Sequence, residues 1–473
     1  MMKKVLLFEL NEVPLKVIDY YITKYPDSSL AHICQKGQQM ETFTSDEGHL
    51  HPWATWPTLH RGVDNTVHKI KDFGEDLTEL NKQHPPVWKI LKDNGISCGV
   101  FGSLHSYPPP IDFEDYSFFV PDTFAWGTET HPKIAETFQA FNLAMVSASA
   151  RNVDAGFNKK DALKLGLNLG RLGIRAKTIL SIVNQLMVER IHKWKVTRRR
   201  SFQSVMAFDI FLKLLKNTKP QFVTFFSNHV AATMHRYWAA TFPEDYEEYH
   251  LSDNWKDRYS EEIDFAMHKL DAFLKDILLF IDQNPEYKLI IASSMGQEST
   301  TAMEQKSELL AKDLNKFLMS MGFKQNEYSI LPAMHPQYNI SFHTPEKQQE
   351  LVEKLNSLFI SGESIQSRTK ENGFVSFDLG HRNLAEEKAI YQGNKISFAD
   401  YGLVNEPIQD EASGTAYHIP EGSLLVYDKH IQESSERIKG IDTKCILPSI
   451  LEHFGIDKKE YMAKQTIKAI TLD

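Results

Sequence analysis

Cysteine is scarce in this sequence. The 473 residues include three cysteines, Cys34, Cys98 and Cys445, which lie far apart and show no paired spacing. This distribution excludes a disulfide framework and a zinc knuckle built from closely spaced cysteines. A reducing compartment is the simpler interpretation, and we predict a cytoplasmic location.

Long hydrophobic runs are also missing. Nowhere do 18 uncharged apolar residues follow one another, so we expect no membrane-spanning helix. The apolar run that starts at Val5 is interrupted by Glu9 after four residues. That run is too short for the apolar region of an export signal, and none is predicted.

An excess of positive charge is absent as well. The formal net charge is -9 and the isoelectric point is near 6.1, which argues against binding to nucleic acid. The exception is the basic run from Lys193 to Arg200. Such a run usually forms a solvated face, but it could also make a peripheral contact with a membrane or attract an acidic substrate.

What the sequence does contain is an alternation of apolar strands and amphipathic helices. Val5 to Leu10 ends in Asn11, and Phe222 to Phe226 ends in Ser227, Asn228 and His229. Buried parallel strands have this composition, and ligands bind at their carboxyl ends in open α/β sheets. The pattern therefore predicts a doubly wound α/β core with a site at that edge.

Two stretches interrupt this core pattern. Residues 133–216 are almost wholly helical in pattern and basic, and they are too long for one connection in a compact α/β unit. Residues 325–405 have the pattern of a small αβ cap. We therefore predict a core from 1–132, 217–324 and 406–473, with a helical insertion at 133–216 and a cap at 325–405.

The chemistry is predicted to lie between Gly48 and His68, where histidines, hydroxyls and indoles crowd a loop that runs into a short helix. A hydroxyl in the first turn of a helix sits in the positive field of unpaired amide groups, which would stabilise an attacked phosphoryl group. Thr55 and Thr58 are therefore candidate nucleophiles. The alternative for both threonines is helix capping.

Several segments resemble, in chain order, the alkaline phosphatase and sulfatase superfamily, and most closely its type I phosphodiesterase and nucleotide pyrophosphatase branch. The segments that carry the resemblance are Val5 to Asn11, Gly62-Val63 followed by His68, Val87 to Gly102, Gly414-Thr415 with His418-Ile419-Pro420-Glu421-Gly422, and Asp442 to Ile456. The resemblance implies a three-layer α/β/α fold and a two-metal site made from Asp and His ligands around a nucleophile.

This sequence departs from the family's ligand pattern. The first-strand Asp falls on Asn11, the mid-chain Asp falls near Asn228, and the later Asp-His pair falls on Ser294-Met295. We therefore expect a reduced site with one divalent metal, zinc first and manganese or calcium as alternatives. The predicted metal ligands are Glu9, His229, His235 and His418.

These residues predict hydrolysis or transfer at a phosphate ester or diester. Thr55 would attack while Asn11 and Asn228 orient the reacting group. The predicted partners are a phosphorylated small molecule, a glycan or a lipid head group. Two alternatives stay open: a non-catalytic binding protein that keeps the fold, and a glycan or lipid phosphotransferase that works with membrane-bound partners.

Overall fold

The computed structural model describes residues 4–72, 75–148, 159–331, 333, 336–369, 373–430 and 436–472. Part of the predicted insertion, residues 149–158, and a few residues of the predicted cap lie outside the described residues. No helix in the described ranges is both long and apolar enough to cross a membrane.

The α-helices of the described chain range from single turns to six turns. They are α1 (Leu15–Lys24), α2 (Ser29–Lys36), α3 (Pro52–Arg61), α4 (Asn65–His68), α5 (Thr78–Gln83), α6 (Val87–Asp93), α7 (Glu136–Ala148), α8 (Lys159–Leu172), α9 (Ala176–Ile191), α10 (Arg199–Thr218), α11 (His229–Thr241), α12 (Asp253–Tyr259), α13 (Glu262–Gln283), α14 (Leu314–Ser320), α15 (Pro345–Asn356), α16 (Ile446–His453) and α17 (Lys468–Thr471).

The strands are mostly short, and the longest belong to the central sheet. They are β1 (Lys4–Leu10), β2 (Gln38–Phe43), β3 (Cys98–Phe101), β4 (Phe118–Val120), β5 (Phe222–Ser227), β6 (Tyr249–His250), β7 (Tyr287–Ala292), β8 (Gly296–Ser299), β9 (Ala302–Met303), β10 (Ser307–Ala311), β11 (Tyr328–Leu331), β12 (Gln337–Phe342), β13 (Leu358–Ile360), β14 (Glu363–Ser364), β15 (Gln366–Thr369), β16 (Phe374–Asp378), β17 (Ala389–Tyr391), β18 (Asn394–Ile396), β19 (Leu403–Pro407), β20 (Ala416–Ile419), β21 (Glu421–Tyr427) and β22 (Ile438–Asp442).

The central sheet has eight strands in the order β22-β2-β21-β7-β1-β5-β3-β4. Strand β1 pairs in parallel with β5 on one side and with β7 on the other, while β21 runs antiparallel to β7 and β2. The predicted α/β fold class is confirmed, with a mostly parallel sheet. The carboxyl ends of β1, β5 and β7 consequently meet at one edge.

Both faces of this sheet are covered, as the composition of β1 requires. Leu6 and Phe8 pack on one side in a cluster that includes Phe208 of α10. Val5 and Leu7 pack on the other side with residues of α3, α6 and α16. Because successive side chains of a strand point to opposite faces, a strand that is apolar throughout has to lie between two layers. The architecture is therefore three-layered, with helices on both faces of the sheet.

The predicted helical insertion and the predicted cap pack in different ways. In the stretch 133–216, α10 contributes Phe208, Phe211 and Leu215 to the core cluster of the central sheet, so this helix is part of the helical layer. A separate hydrophobic cluster runs from Leu309 to Leu403 around α14, α15 and two four-stranded sheets. The boundaries of the insertion and the cap stay predictions.

Candidate metal centre

Polar residues gather where β1 and β5 end. Asn11 and Glu12 follow the last residue of β1, and Asn228 follows the last residue of β5. Helix α11 begins directly afterwards and carries His235 two turns into its length. The short strand β20 brings His418 to the same place, since β20 pairs with β8 just beyond the end of β7. The site thus forms at the edge where α/β sheets bind ligands.

Glu12 is placed by an unusual backbone conformation. Its φ angle is 58°, in the left-handed region that residues other than glycine seldom adopt. The residue is only 2% exposed, so its carboxylate is enclosed by protein. A strained backbone with a buried charge persists only where the surroundings impose it, and such residues concentrate at functional sites.

The two histidines direct the same ring nitrogen at Glu12. The Nε2 atoms of His235 and His418 lie 2.9 and 3.3 Å from Glu12 Oε2. Their Nδ1 atoms lie 2.8 and 2.7 Å from the backbone carbonyl oxygens of Ala416 and Leu50. A carbonyl oxygen only accepts hydrogen bonds, so each Nδ1 carries a proton and donates it. If such a ring is neutral, its Nε2 atom faces the carboxylate with a lone pair.

This arrangement requires positive charge beside the Glu12 carboxylate. Two lone pairs that face one anionic oxygen repel it, unless protons or a cation lie between them. Burial would raise the pKa of Glu12, but the neighbouring His418 and His235 outweigh it and hold that pKa well below its usual range. Either two imidazolium rings or one metal ion satisfies the geometry.

Amide side chains hold the carboxylate in place. Gln297 donates a hydrogen bond from Nε2 to Glu12 Oε2, and Asn11 donates from Nδ2 to Glu12 Oε1 at 2.8 Å. Gln297 follows Gly296, where a Cβ atom would come within 2.1 Å of the carbonyl oxygen of Glu421. Only glycine allows β8 to pass this close to β21, and that approach brings Gln297 to the site.

Asn11 also links the site to α3 and α11. Its Nδ2 atom donates to Asn228 Oδ1 at 2.7 Å, and its Oδ1 atom accepts from Trp56 Nε1 at 2.8 Å. With both ends of its amide engaged, Asn11 positions the neighbouring Glu12. That Asn11 and Asn228 orient a reacting group stays a prediction.

The residues present fit a metal ion. One nitrogen of His235, one nitrogen of His418 and one oxygen of Glu12 all lie within 4.8 Å of one another. Two imidazoles and one carboxylate form a ligand set that zinc uses in catalytic sites, where a fourth position stays open. The backbone carbonyls behind both rings match the outer contacts that usually fix the tautomer of a ligating histidine. The His235 side chain is 29% exposed, so the centre opens towards solvent on that side.

Two of the predicted metal ligands are held elsewhere. Glu9 lies on β1 and pairs with His60 of α3 at 2.7 Å, with both side chains buried. His229 uses both ring nitrogens, with Nδ1 2.8 Å from Ser227 Oγ and Nε2 3.0 Å from the carbonyl oxygen of Ala266. The structure therefore holds Glu9 and His229 away from this cluster and brings Glu12 together with His235 and His418.

The two candidate nucleophiles are fully enclosed. Thr55 and Thr58 lie within α3 and have no exposed surface. The hydroxyl of Thr55 lies 2.7 Å from that of Ser294, and the hydroxyl of Thr58 donates to Asp46 at 2.6 Å. His68 Nε2 lies 3.0 Å from the Thr58 hydroxyl. Helix capping does not describe these two threonines, because both hydroxyls bond to side chains from other segments, and their role as nucleophiles stays a prediction.

Glu12 and Gln297 are the residues that sequence reasoning missed. A signal for Glu12 existed, since it follows Asn11 directly after the first apolar strand, where ligands of α/β sheets lie. Gln297 lies directly after Ser294-Met295-Gly296, shortly beyond the carboxyl end of β7. Its contribution depends on a pairing between β8 and β20 that no local pattern indicates.

No family model and no curated protein matches this chain. Two solved structures of murine ectonucleotide pyrophosphatase/phosphodiesterase 5 match over 96% of both chains at 10% identity, with TM-scores of 0.40 and 0.39. The second of them is an inactive form in complex with AMP. Both matches are too distant to assign an activity to this chain.

Proposed function

We propose that this protein binds one divalent cation through Glu12, His235 and His418 and uses it in hydrolysis or transfer at a phosphate ester or diester. The observation that supports this proposal is the convergence of two Nε2 atoms on one buried carboxylate oxygen, with both Nδ1 atoms committed to backbone carbonyls. The ligand set favours zinc, or manganese next, over calcium, because calcium prefers oxygen ligands.

Each surrounding residue has a defined part in this proposal. A bound cation would supply Lewis acidity to a phosphoryl oxygen. Glu12 balances part of its charge, and Gln297 and Asn11 hold the carboxylate in one orientation. The position of the centre at the carboxyl edge of the parallel strands, together with its partial exposure at His235, would admit a substrate from one side.

The threonine nucleophile is a separate part of the proposal. Two contacts support a role for Thr55: its neighbour Trp56 donates to Asn11 beside Glu12, and its own hydroxyl bonds to Ser294, three residues before Gln297. The Thr55 hydroxyl is enclosed and bonded to Ser294. Direct attack by Thr55 would require this contact to open when substrate binds.

The decisive experiment measures the metal content of the purified protein by elemental analysis and its activity on aryl phosphate monoesters and diesters. We compare the wild type with Glu12→Gln and with the matched control Glu9→Gln, since both glutamates are buried. We expect about one metal per chain in the wild type and the control, and loss of metal and activity in Glu12→Gln. A wild type purified and dialysed against zinc or manganese that still contains no metal would overturn the proposal.

A second pair of variants tests the nucleophile. Thr55→Ala removes the hydroxyl, whereas Thr55→Ser keeps it. If Thr55 attacks, the alanine variant retains metal and loses turnover by several orders of magnitude, while the serine variant keeps measurable turnover. Equal activity of both variants would remove Thr55 from the mechanism and leave the metal proposal intact.

One observation favours a non-catalytic alternative. Ser294 and Asn11 stand at positions where the family resemblance implies further carboxylate ligands. Both side chains are neutral, and they form hydrogen bonds to Thr55 and Trp56. A binding protein that keeps a single metal centre would show bound metal without turnover on any phosphoester. The glycan or lipid phosphotransferase predicted as a further alternative would show turnover only with an acceptor present.

A further inference from the structure

Helix α9 buries polar side chains and exposes apolar ones, which is the opposite of what is expected for a surface helix. Its buried residues are the polar Thr178, Gln185 and Glu189, which share one face of the helix. Gln185 donates to the carbonyl oxygen of Lys195 at 2.7 Å, and Glu189 pairs with Arg199. A helix between protein and water normally buries its apolar stripe and exposes its polar one.

The exposed face of α9 is aliphatic. We call it the α9 apolar face, and it consists of Ile179 (37% exposed), Leu180 (69%), Val183 (46%), Leu186 (42%), Met187 (54%) and Ile191 (78%). Leu163 and Leu167 of the preceding helix α8 are 65% and 77% exposed. A soluble protein seldom leaves so many large apolar side chains in water together, and such a face usually marks an interaction site.

The segment that contains this face is basic, although the whole chain is acidic. Residues 159–200 contain twelve Lys or Arg and two Asp or Glu, a formal charge of +10, whereas the protein carries -9. Part of the predicted basic run is used internally, because Arg198 pairs with Glu262 and Arg199 with Glu189. Arg190 and Lys193 are exposed at the end of α9.

We propose that the α9 apolar face docks onto an anionic phospholipid bilayer, with its aliphatic side chains at the boundary between head groups and acyl chains. Basic residues beside an aliphatic helix face are the features of helices that lie in a membrane interface. The 16 residues of α9 span about 24 Å along the surface. A second copy of the chain fits less well, because a symmetric contact would bring two basic segments together.

The test uses full-length protein in sedimentation with vesicles of pure phosphatidylcholine and of phosphatidylcholine with phosphatidylglycerol. The variant Leu180→Ser/Met187→Gln/Ile191→Ser removes the largest exposed side chains of the face. Leu279→Ser is the matched control, since Leu279 is 52% exposed on α13. A third variant, Arg190→Glu/Lys193→Glu, reverses two exposed charges. Circular dichroism and thermal unfolding verify that each variant folds.

We expect the wild type and the Leu279→Ser control to sediment with the anionic vesicles, and we expect added salt to weaken this binding because it screens the charges. The triple variant should bind about tenfold more weakly or worse, and the charge-reversal variant should lose its preference for anionic lipid. Absence of wild-type binding at low ionic strength would overturn the proposal. A wild-type dimer that becomes monomeric in the triple variant would overturn the proposal and indicate that a second copy covers the α9 apolar face. Equal lipid binding by the wild type and the triple variant would also overturn it, because another surface would then contact the membrane.

Discussion

The imidazole rings of His235 and His418 lie 5.1 Å apart, centroid to centroid, and their planes are inclined by 73°. One ring is on α11 and the other on β20, and the carboxylate of Glu12 lies between their Nε2 atoms. Because each Nδ1 atom donates to a carbonyl oxygen, two neutral rings would direct lone pairs of Nε2 at the anionic oxygen of Glu12. This arrangement requires added protons on the rings or a cation between the Nε2 atoms and that oxygen. The proposed function depends on this relationship.

Gln297 should act as a positioning residue for the metal centre. Gln297→Leu removes the hydrogen bond to Glu12 Oε2, so we expect metal affinity to fall roughly 10- to 100-fold, as is typical of outer contacts of metal ligands. Competition with a chelating dye measures the change. Gln283→Leu, on the exposed end of α13, is the control and should bind metal like the wild type.

The buried pair of Glu9 and His60 should contribute to stability and leave metal binding unchanged. Glu9→Gln removes the charge from a fully buried contact of 2.7 Å, and we expect a loss of about 2 kcal/mol in the free energy of unfolding. Urea denaturation measures this loss against Glu79→Gln, an exposed glutamate that should change stability by less than about 0.5 kcal/mol. Loss of bound metal in Glu9→Gln would return Glu9 to the ligand set.

His229 should make the protein less stable in acid. Burial lowers the pKa of His229 to about 4, below its value of about 6.5 in an unfolded chain. The contribution of neutral His229 to the free energy of unfolding is therefore complete above pH 6.5 and is lost as the pH falls towards 4. We expect a loss of about 2 kcal/mol between pH 7 and pH 5. In urea denaturation at both pH values, His229→Gln should show a smaller loss than the wild type. An identical loss would contradict the assignment.

Asp122 should act in the opposite direction over the same pH range. Burial raises the pKa of Asp122 to about 6, above its value of about 4 when unfolded. The folded state then binds the proton more tightly, so this residue increases stability as the pH falls from 7 to 5, by about 1 kcal/mol. Asp122→Asn should remove this gain in the same denaturation experiment. A gain that persists in the variant would have to come from another group.

The sequence by itself determined the layers of the fold and the edge at which the site forms. Strands β1 and β5 are mostly apolar and end in polar residues, which favours buried parallel strands with a polar carboxyl edge, because side chains on both faces of such a strand have to be removed from water. The sequence also predicts Asn11, His235 and His418 as site residues, and the structure brings these three side chains to Glu12. Asn11 directly follows β1 and His418 stands near the turn residues Gly414 and Pro420, where loops carry function, whereas His235 lies inside α11.

Only the tertiary structure decided which charged residues meet. Glu9 and Glu12 are three residues apart, yet Glu9 projects from β1 under α3 and meets His60, while the left-handed turn at Glu12 carries its carboxylate to His235 and His418. Likewise His229 is taken by Ser227 and Ala266. These contacts join segments far apart in the chain, so they depend on the packing of α3, α11 and β20 against the sheet, which no local pattern encodes.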